Sequence, residues 1–278
     1  MLKKTFLLLK KNPLLIILPV LAVALMLLSE LPLMPDINRI MGLSRSMYNL
    51  QNPPQMQLKD AFDIMSAALV MLIFALVYCV LAVIFVSGYG NMLAAAVNEG
   101  KATMKIFLYG IRKFTGKVVL SFLLMIAILI GVSIVISLFT TPMLLTSIGR
   151  SGFDPGSIMN TQKTMQIVAQ IIMLFLYPFI IMWFPAIFIE REEGVTACLR
   201  HGWRAGVRNY LPLVAVVLFI LLPTLCIFIF TDIYSMFETQ RYLLMYVYQA
   251  IALPVISAYL FVRYGEMKAQ ARNRSISV

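Results

Sequence analysis

Six runs of apolar residues, each about twenty residues or longer, constrain the fold of this sequence more than any other feature. They cover residues 14–34, 61–86, 118–139, 166–189, 211–230 and 243–262. A run of this length spans a bilayer as a helix, because only a helix satisfies the backbone hydrogen bonds of a single segment in lipid. The charged fraction is 13%, against about 25% in soluble domains. The sequence therefore predicts an all-α, polytopic membrane protein with six transmembrane helices in one domain, residues 1–278.

The positions of the basic residues predict how these helices are oriented. Of the 23 Lys and Arg residues, 17 lie in segments 1–13, 99–117, 190–210 and 263–274, which alternate with the other connections. Positive residues in short connections are retained on the cytoplasmic side. Both termini are therefore expected in the cytoplasm, with the chain in the cell (inner) membrane. This placement explains the net charge of +11 through anionic headgroups and argues against a nucleic-acid partner.

The connection at 190–212 has the periodicity of an amphipathic helix that lies along the membrane surface. Its apolar residues recur at steps of three and four: Val195, Cys198, Leu199, Trp203, Val207 and Tyr210. Arg200, Arg204 and Arg208 follow at steps of four, which predicts that they lie on the opposite face. We expect these arginines and Trp203 to contact anionic lipid headgroups or a membrane partner protein, or to serve only as an interfacial anchor.

The same plan recurs elsewhere in the chain. Glu99-Gly100 and Glu193-Gly194 each follow an apolar run and precede a basic amphipathic segment, at an offset of 94 residues. In the earlier copy, Lys105, Arg112 and Lys113 are the candidate lipid or partner contacts. The N-terminal Lys11-Asn12-Pro13 occupies the place of Arg208-Asn209-Tyr210. The pattern predicts three cytoplasmic interfacial helices and a tandem repeat of helix pairs.

Residues able to perform chemistry are few. The central portions of the six runs contain no ionisable side chain, and Gln249 is the strongly polar residue nearest mid-depth, which predicts an intramembrane polar contact. Glu190, Glu193 and His201 are the candidate acids and bases of a headgroup-modifying enzyme. Nucleotide-binding and hydrolase motifs are absent from the sequence, and neither His nor Cys has metal-ligand spacing. We therefore expect no catalysis, no cofactor and no metal.

The motifs Lys11-Asn12-Pro13, Glu190 to Gly194 and Arg208-Asn209 carry a resemblance to a family. Together with six spans, they resemble bacterial six-span membrane proteins of unknown function. They are also similar to the membrane domain attached to some glycerophosphodiester phosphodiesterases. The catalytic domain of those enzymes has no counterpart here, so the resemblance implies a bacterial membrane module without that activity.

Two further functions are left open by these patterns. The expected function is a non-catalytic accessory module that binds lipid headgroups, a partner membrane complex or a second copy of the chain. The alternative is a small-molecule permease or exporter, because prolines interrupt the first, fourth, fifth and sixth runs and broken helices line transport sites.

Overall fold

A computed structural model of the protein describes residues 1–30, 58–151, 167, 171–172, 174–233 and 238–276. These residues form α-helices and no strand, so the predicted all-α class is confirmed. The first four helices are α1 (Leu2–Lys11), α2 (Leu14–Glu30), α3 (Leu58–Glu99) and α4 (Met104–Ser151). The helical stretch Leu174–Ile189 turns at Met182 and ends in α5 (Trp183–Ile189). The last three are α6 (Val195–Arg208), α7 (Tyr210–Ile233) and α8 (Glu238–Ile276).

Several of these helices have the length and composition of membrane spans. Within the described residues, four stretches qualify: Met65–Glu99, Met104–Leu138, Tyr210–Ile227 and Tyr242–Ala271. The pair α1 and α2 also qualifies if its 83° bend is included in one span, and Leu174–Ile189 is apolar but shorter. In the most apolar part of α3, 0% of the residues are buried. An apolar exterior of this kind requires lipid as its solvent, which makes the chain a helical membrane protein.

The helices α3 and α4 run antiparallel and pack closely against each other. Gly110 of α4 crosses α3 so closely that a Cβ there would lie 2.8 Å from the Ser87 carbonyl oxygen and 2.6 Å from Asn91 Cβ. Asn91 Nδ2 donates a 2.8 Å hydrogen bond to the Ile106 carbonyl oxygen. Small residues that let helix backbones approach are typical of packing in membranes, where burial of apolar area gives no driving force.

The four basic segments meet at one end of the bundle, called the basic end. It comprises residues 1–13, 98–117, 190–210 and 263–272. Contacts between the segments are Lys4 to Glu266 at 2.7 Å, Ala102 N to Asn12 Oδ1 at 2.8 Å, Lys117 to the Arg191 carbonyl at 2.8 Å, and Arg263 Nε to Asn209 Oδ1 at 2.9 Å. The four segments that the distribution of Lys and Arg predicted to lie on one side of the membrane are therefore in contact with one another.

The basic end departs from the expected repeat in its second segment. Lys105, Arg112 and Lys113 lie on the first turns of α4, which continues unbroken into the apolar stretch. By contrast, α1 and α6 each end at an asparagine before the next helix begins. The two aligned glycines also differ. Gly100 ends α3 with φ 74°, which favours glycine, whereas Gly194 is extended and precedes α6.

Candidate functional site

The α6 helix docks on the protein through its smallest residues. Its buried residues are Val195, Cys198, Gly202, Ala205 and Gly206. A Cβ at Gly202 would lie 2.9 Å from the Met182 carbonyl oxygen, and a Cβ at Gly206 would lie 2.9 Å from Phe179 Cα. The backbone of α6 therefore packs directly on the backbone of the 174–189 stretch.

The larger apolar residues of α6 lie at the edge of this contact or outside it. Trp203 is 43% exposed and stacks on Phe179 with a ring-centroid distance of 4.5 Å, and Val207 is 55% exposed. Arg200, Arg204 and Arg208 are exposed on the same side of the helix, since Val207 lies seven residues, or about two turns, from Arg200. The helix thus has two sides: small residues face the protein, whereas the arginines, Trp203 and Val207 face outward.

The basic side chains at the basic end divide into a paired set and a free set. Members of the paired set contact a carboxylate, a carbonyl or an amide oxygen: Lys4, Lys113, Lys117, Arg191, Arg263 and Lys268. Members of the free set are exposed and have no such contact with the described part of the chain: Lys3, Lys10, Lys11, Lys101, Lys105, Arg112, Arg200, Arg204 and Arg208. Of the candidate lipid contacts, Lys113 alone belongs to the paired set, through Glu192 at 3.2 Å.

The loop at 190–194 is held in place by the paired set. Lys117 Nζ donates hydrogen bonds of 2.8 Å to the carbonyl oxygens of Arg191 and Glu193. Glu190 accepts hydrogen bonds from Lys268 at 2.6 Å and from Tyr264 at 3.3 Å. Ammonium groups bind carbonyl oxygens strongly when water is partly excluded. These contacts fix the loop, and therefore the start of α6, against α4 and α8.

Replacing Lys117 by Met should loosen this loop. Loss of its two hydrogen bonds should lower the free energy of unfolding by about 1.5–3 kcal/mol, because the methionine keeps the aliphatic stem and removes the donor. Thermal unfolding in detergent and the rate of Glu-specific proteolysis at 190–193 measure the effect. Lys105→Met is the matched control, since Lys105 lies on the same helix, is exposed and belongs to the free set. Equal stability of the two variants would contradict the role of Lys117.

The candidate acids and bases are only partly brought together. His201 Nε2 lies 3.1 Å from Glu193 Oε2, although the pair lacks hydrogen-bond alignment. Glu190 instead faces Tyr264 and Lys268. In the described part of the chain, no group of three or more His, Cys, Asp or Glu residues is arranged to hold a metal ion.

Cys198 is buried at the junction of α6 and the loop. Its Sγ lies 3.5 Å from the Glu190 carbonyl oxygen and 3.8 Å from that of Glu193, and it donates to both. Burial raises the pKa of the Cys198 thiol, Lys117 opposes this rise, and the charges of Glu193 and Glu190 add to it. The thiol therefore stays protonated near neutral pH and acts as a donor.

Two asparagines form equivalent corners of the basic end. Asn12 and Asn209 are each 6% exposed and follow α1 and α6. Each Nδ2 donates to the carbonyl oxygen four residues earlier, that of Leu8 or Ala205. Each Oδ1 accepts a hydrogen bond from the basic segment that follows in the chain. The donor to Asn12 is the backbone N–H of Ala102, and the donor to Asn209 is Arg263 Nε. A buried amide is costly unless both ends are paired, and here both are.

Replacing Asn209 by Ala should destabilise the protein by about 1–3 kcal/mol, because Arg263 Nε loses its acceptor. The thermal midpoint in detergent measures this change. Asn98→Ala is the matched control, because Asn98 is exposed and has no hydrogen-bond partner in the described part of the chain. If the thermal midpoint of Asn209→Ala were as high as that of the control, the hydrogen bonds of Asn209 would not stabilise the protein.

Two features of the site were not predicted from the sequence. They are the clamp formed by Lys117, meaning its two hydrogen bonds to the 190–194 loop, and the packing of α6 through its small residues. The small residues Gly202, Ala205 and Gly206 were nevertheless a signal for close packing. Gln249 is exposed on α8 and has no hydrogen-bond partner among the described residues, so its intramembrane polar contact stays a prediction.

Comparisons of the chain with models of protein families, with curated proteins and with solved structures find no match. Evidence of function therefore comes from the geometry of the basic end and of the adjacent helices.

Proposed function

We propose that the protein is a non-catalytic accessory module of the bacterial inner membrane whose basic end lies at the cytoplasmic surface and binds anionic lipid headgroups. The observation that carries this proposal is the separation of paired from free cations. The paired residues hold the helices together, whereas Arg200, Arg204 and Arg208 form an exposed row without a carboxylate partner in the described part of the chain. Each exposed cation near an anionic membrane surface contributes about 1 kcal/mol to the free energy of binding to that surface.

Six crossings are part of this proposal. The four long stretches, the bent pair α1 and α2, and the Leu174–Ile189 stretch correspond in order to the six apolar runs of the sequence. The bend of 83° between α1 and α2 suits a helix that turns from the membrane surface into the bilayer. We propose the same surface position for α6, whose exposed Trp203 suits the interface.

The equivalent corners at Asn12 and Asn209 support a tandem repeat of helix pairs, because the same residue performs the same bonding after α1 and after α6. We also propose that the chain is related to the membrane domain of glycerophosphodiester phosphodiesterases. A partner membrane protein or a second copy of the chain is the other candidate occupant of the arginine row.

The two tryptophans allow a direct test. In a Trp183→Phe variant, Trp203 is the sole tryptophan, and it is 43% exposed beside the arginines. Reconstitution with brominated phosphatidylglycerol or brominated phosphatidylcholine, which quench indole on contact, compares the two lipids at α6. We expect stronger quenching by the glycerol lipid at low salt and a smaller difference at high salt. Equal quenching at low salt would rule out the headgroup site and favour a protein partner.

A further inference from the structure

A cavity of about 340 Å³ lies among α3, α4, the 174–189 stretch and α8. Its walls include Phe85, Val118, Met125, Phe184 and Leu253. The volume falls within the range of about 300–1,000 Å³ typical of sites for small ligands. Leu253, at 40% exposure, belongs both to the cavity wall and to the apolar exterior of α8. The cavity thus reaches the surface that lipid covers.

The hydroxyl groups of the cavity wall are already occupied. Ser121 Oγ donates to the Lys117 carbonyl at 2.7 Å, and Ser257 Oγ donates to the Leu253 carbonyl at 2.6 Å. Tyr89, 2% exposed, donates to the Leu15 carbonyl at 2.9 Å. A space of this volume would hold several water molecules, and each water needs two to four polar partners. The wall therefore favours an apolar occupant over water.

The cavity lies next to the basic end. Val118 follows Lys117, which clamps the loop, and Trp183 of the wall packs against Gly202 of α6. Trp183 is 8% exposed, and its Nε1 is fully buried, out of reach of a group in the cavity. Trp183 therefore adds its ring, and no accessible polar atom, to the cavity wall.

We infer that this cavity binds one acyl chain of a glycerophospholipid whose headgroup lies at the basic end. The chain fills a void whose lining otherwise loses van der Waals contacts. The choice of an anionic headgroup rests on the proposed function. The binding of the chain itself rests on the volume of the cavity, on its apolar wall and on its opening toward lipid at Leu253.

The test uses the second tryptophan. In a Trp203→Phe variant, Trp183 is the sole tryptophan, and its low exposure limits contact with bulk lipid. We expect brominated phosphatidylglycerol to reduce its fluorescence relative to the unbrominated lipid, while aqueous iodide has no effect. Adding Ser121→Phe, which fills the cavity from α4, should abolish this quenching. Adding Leu123→Phe is the matched control, because Leu123 is 58% exposed on the outside of the same helix.

Two outcomes would overturn the inference. One is Trp183 fluorescence that is equally bright in brominated and plain lipid, while Trp203 is quenched in the Trp183→Phe variant. The other is quenching of Trp183 that Ser121→Phe leaves unchanged. Should Ser121→Phe fail to fold, a phospholipid with a photoreactive acyl chain is used on the unfilled protein. Crosslinks at Phe122 and Phe184 are expected, and crosslinks confined to exposed residues such as Leu123 would again overturn the inference.

Failure of the proposed function is read separately from failure of this inference. Equal quenching of Trp203 by the glycerol and choline lipids removes the anionic headgroup and leaves the chain in the cavity testable through Trp183. Conversely, a bright Trp183 with lipid-selective quenching of Trp203 removes the chain site and leaves the headgroup site intact.

Discussion

Replacing Arg200, Arg204 and Arg208 together by Gln should remove most of the preference for anionic lipid at α6. At about 1 kcal/mol for each cation near an anionic surface, the difference in binding free energy between phosphatidylglycerol and phosphatidylcholine should fall by up to about 3 kcal/mol, or roughly 100-fold in relative affinity. The full effect is expected at low salt, since at physiological ionic strength screening acts over about 8 Å. Quenching of Trp203 by mixtures of brominated and plain lipids measures the relative affinity.

Two control variants separate the arginine row from net charge. Changing the three arginines to Lys keeps the charge, so most of the preference should remain. Changing Arg39, Arg45 and Arg241 to Gln alters the net charge by the same amount on the side predicted to face outward. If this second triple lowered the preference as much as the first, the row on α6 would have no special role.

Replacing Gly202 by Leu should detach α6 from the protein. The added side chain would meet backbone atoms, the Met182 carbonyl oxygen at 2.9 Å and Trp183 Cα at 3.0 Å, which cannot move aside as a flexible side chain would. We expect a loss of more than about 3 kcal/mol, at or above the usual cost of overpacking, together with faster proteolysis at 190–193. Thermal unfolding in detergent and the cleavage rate are the measurements.

Gly116→Leu is the matched control for this change. Gly116 lies within α4, and a Cβ there meets no atom within 4 Å. The substitution therefore adds the same side chain to a helix without a clash and should be neutral or slightly stabilising, because glycine is unfavourable inside helices. Wild-type stability of the Gly202 variant would show that α6 does not dock through its small face.

The sequence predicted the class of fold and the grouping of the basic segments because both follow from the order of apolar and basic residues along the chain. Apolar length alone predicts helices in lipid, and the positive-inside pattern grouped segments that now meet through pairs such as Lys4 and Glu266. The packing face of α6 was harder to predict. Periodicity placed Trp203 with Cys198, but the buried face is centred on Gly202 and Ala205. Hydrophobic patterns weight large side chains, whereas close packing of helices in lipid selects small ones.

The second basic segment illustrates a related limit. Its Glu-Gly pair and amphipathic pattern match those of α6, which predicted a separate surface helix. Nothing in 104–117 breaks the helix as Asn12-Pro13 or Asn209 does elsewhere, so α4 continues from Met104 to Ser151. The clamp of Lys117 and the cavity beside Trp183 depend on contacts between distant segments, and no local pattern encodes them.

The side of the membrane that the basic end faces is tested most directly by thiol accessibility. Cys79, Cys198 and Cys226 are first replaced by Ala, and single cysteines are then introduced at Thr196, exposed on α6, and at Asn52, in the connection predicted outside the cell. With a membrane-impermeant maleimide on intact spheroplasts, we expect labelling at position 52, and labelling at position 196 only after permeabilisation. Labelling at position 196 in intact spheroplasts, as fast as at position 52, would contradict the cytoplasmic position of the basic end.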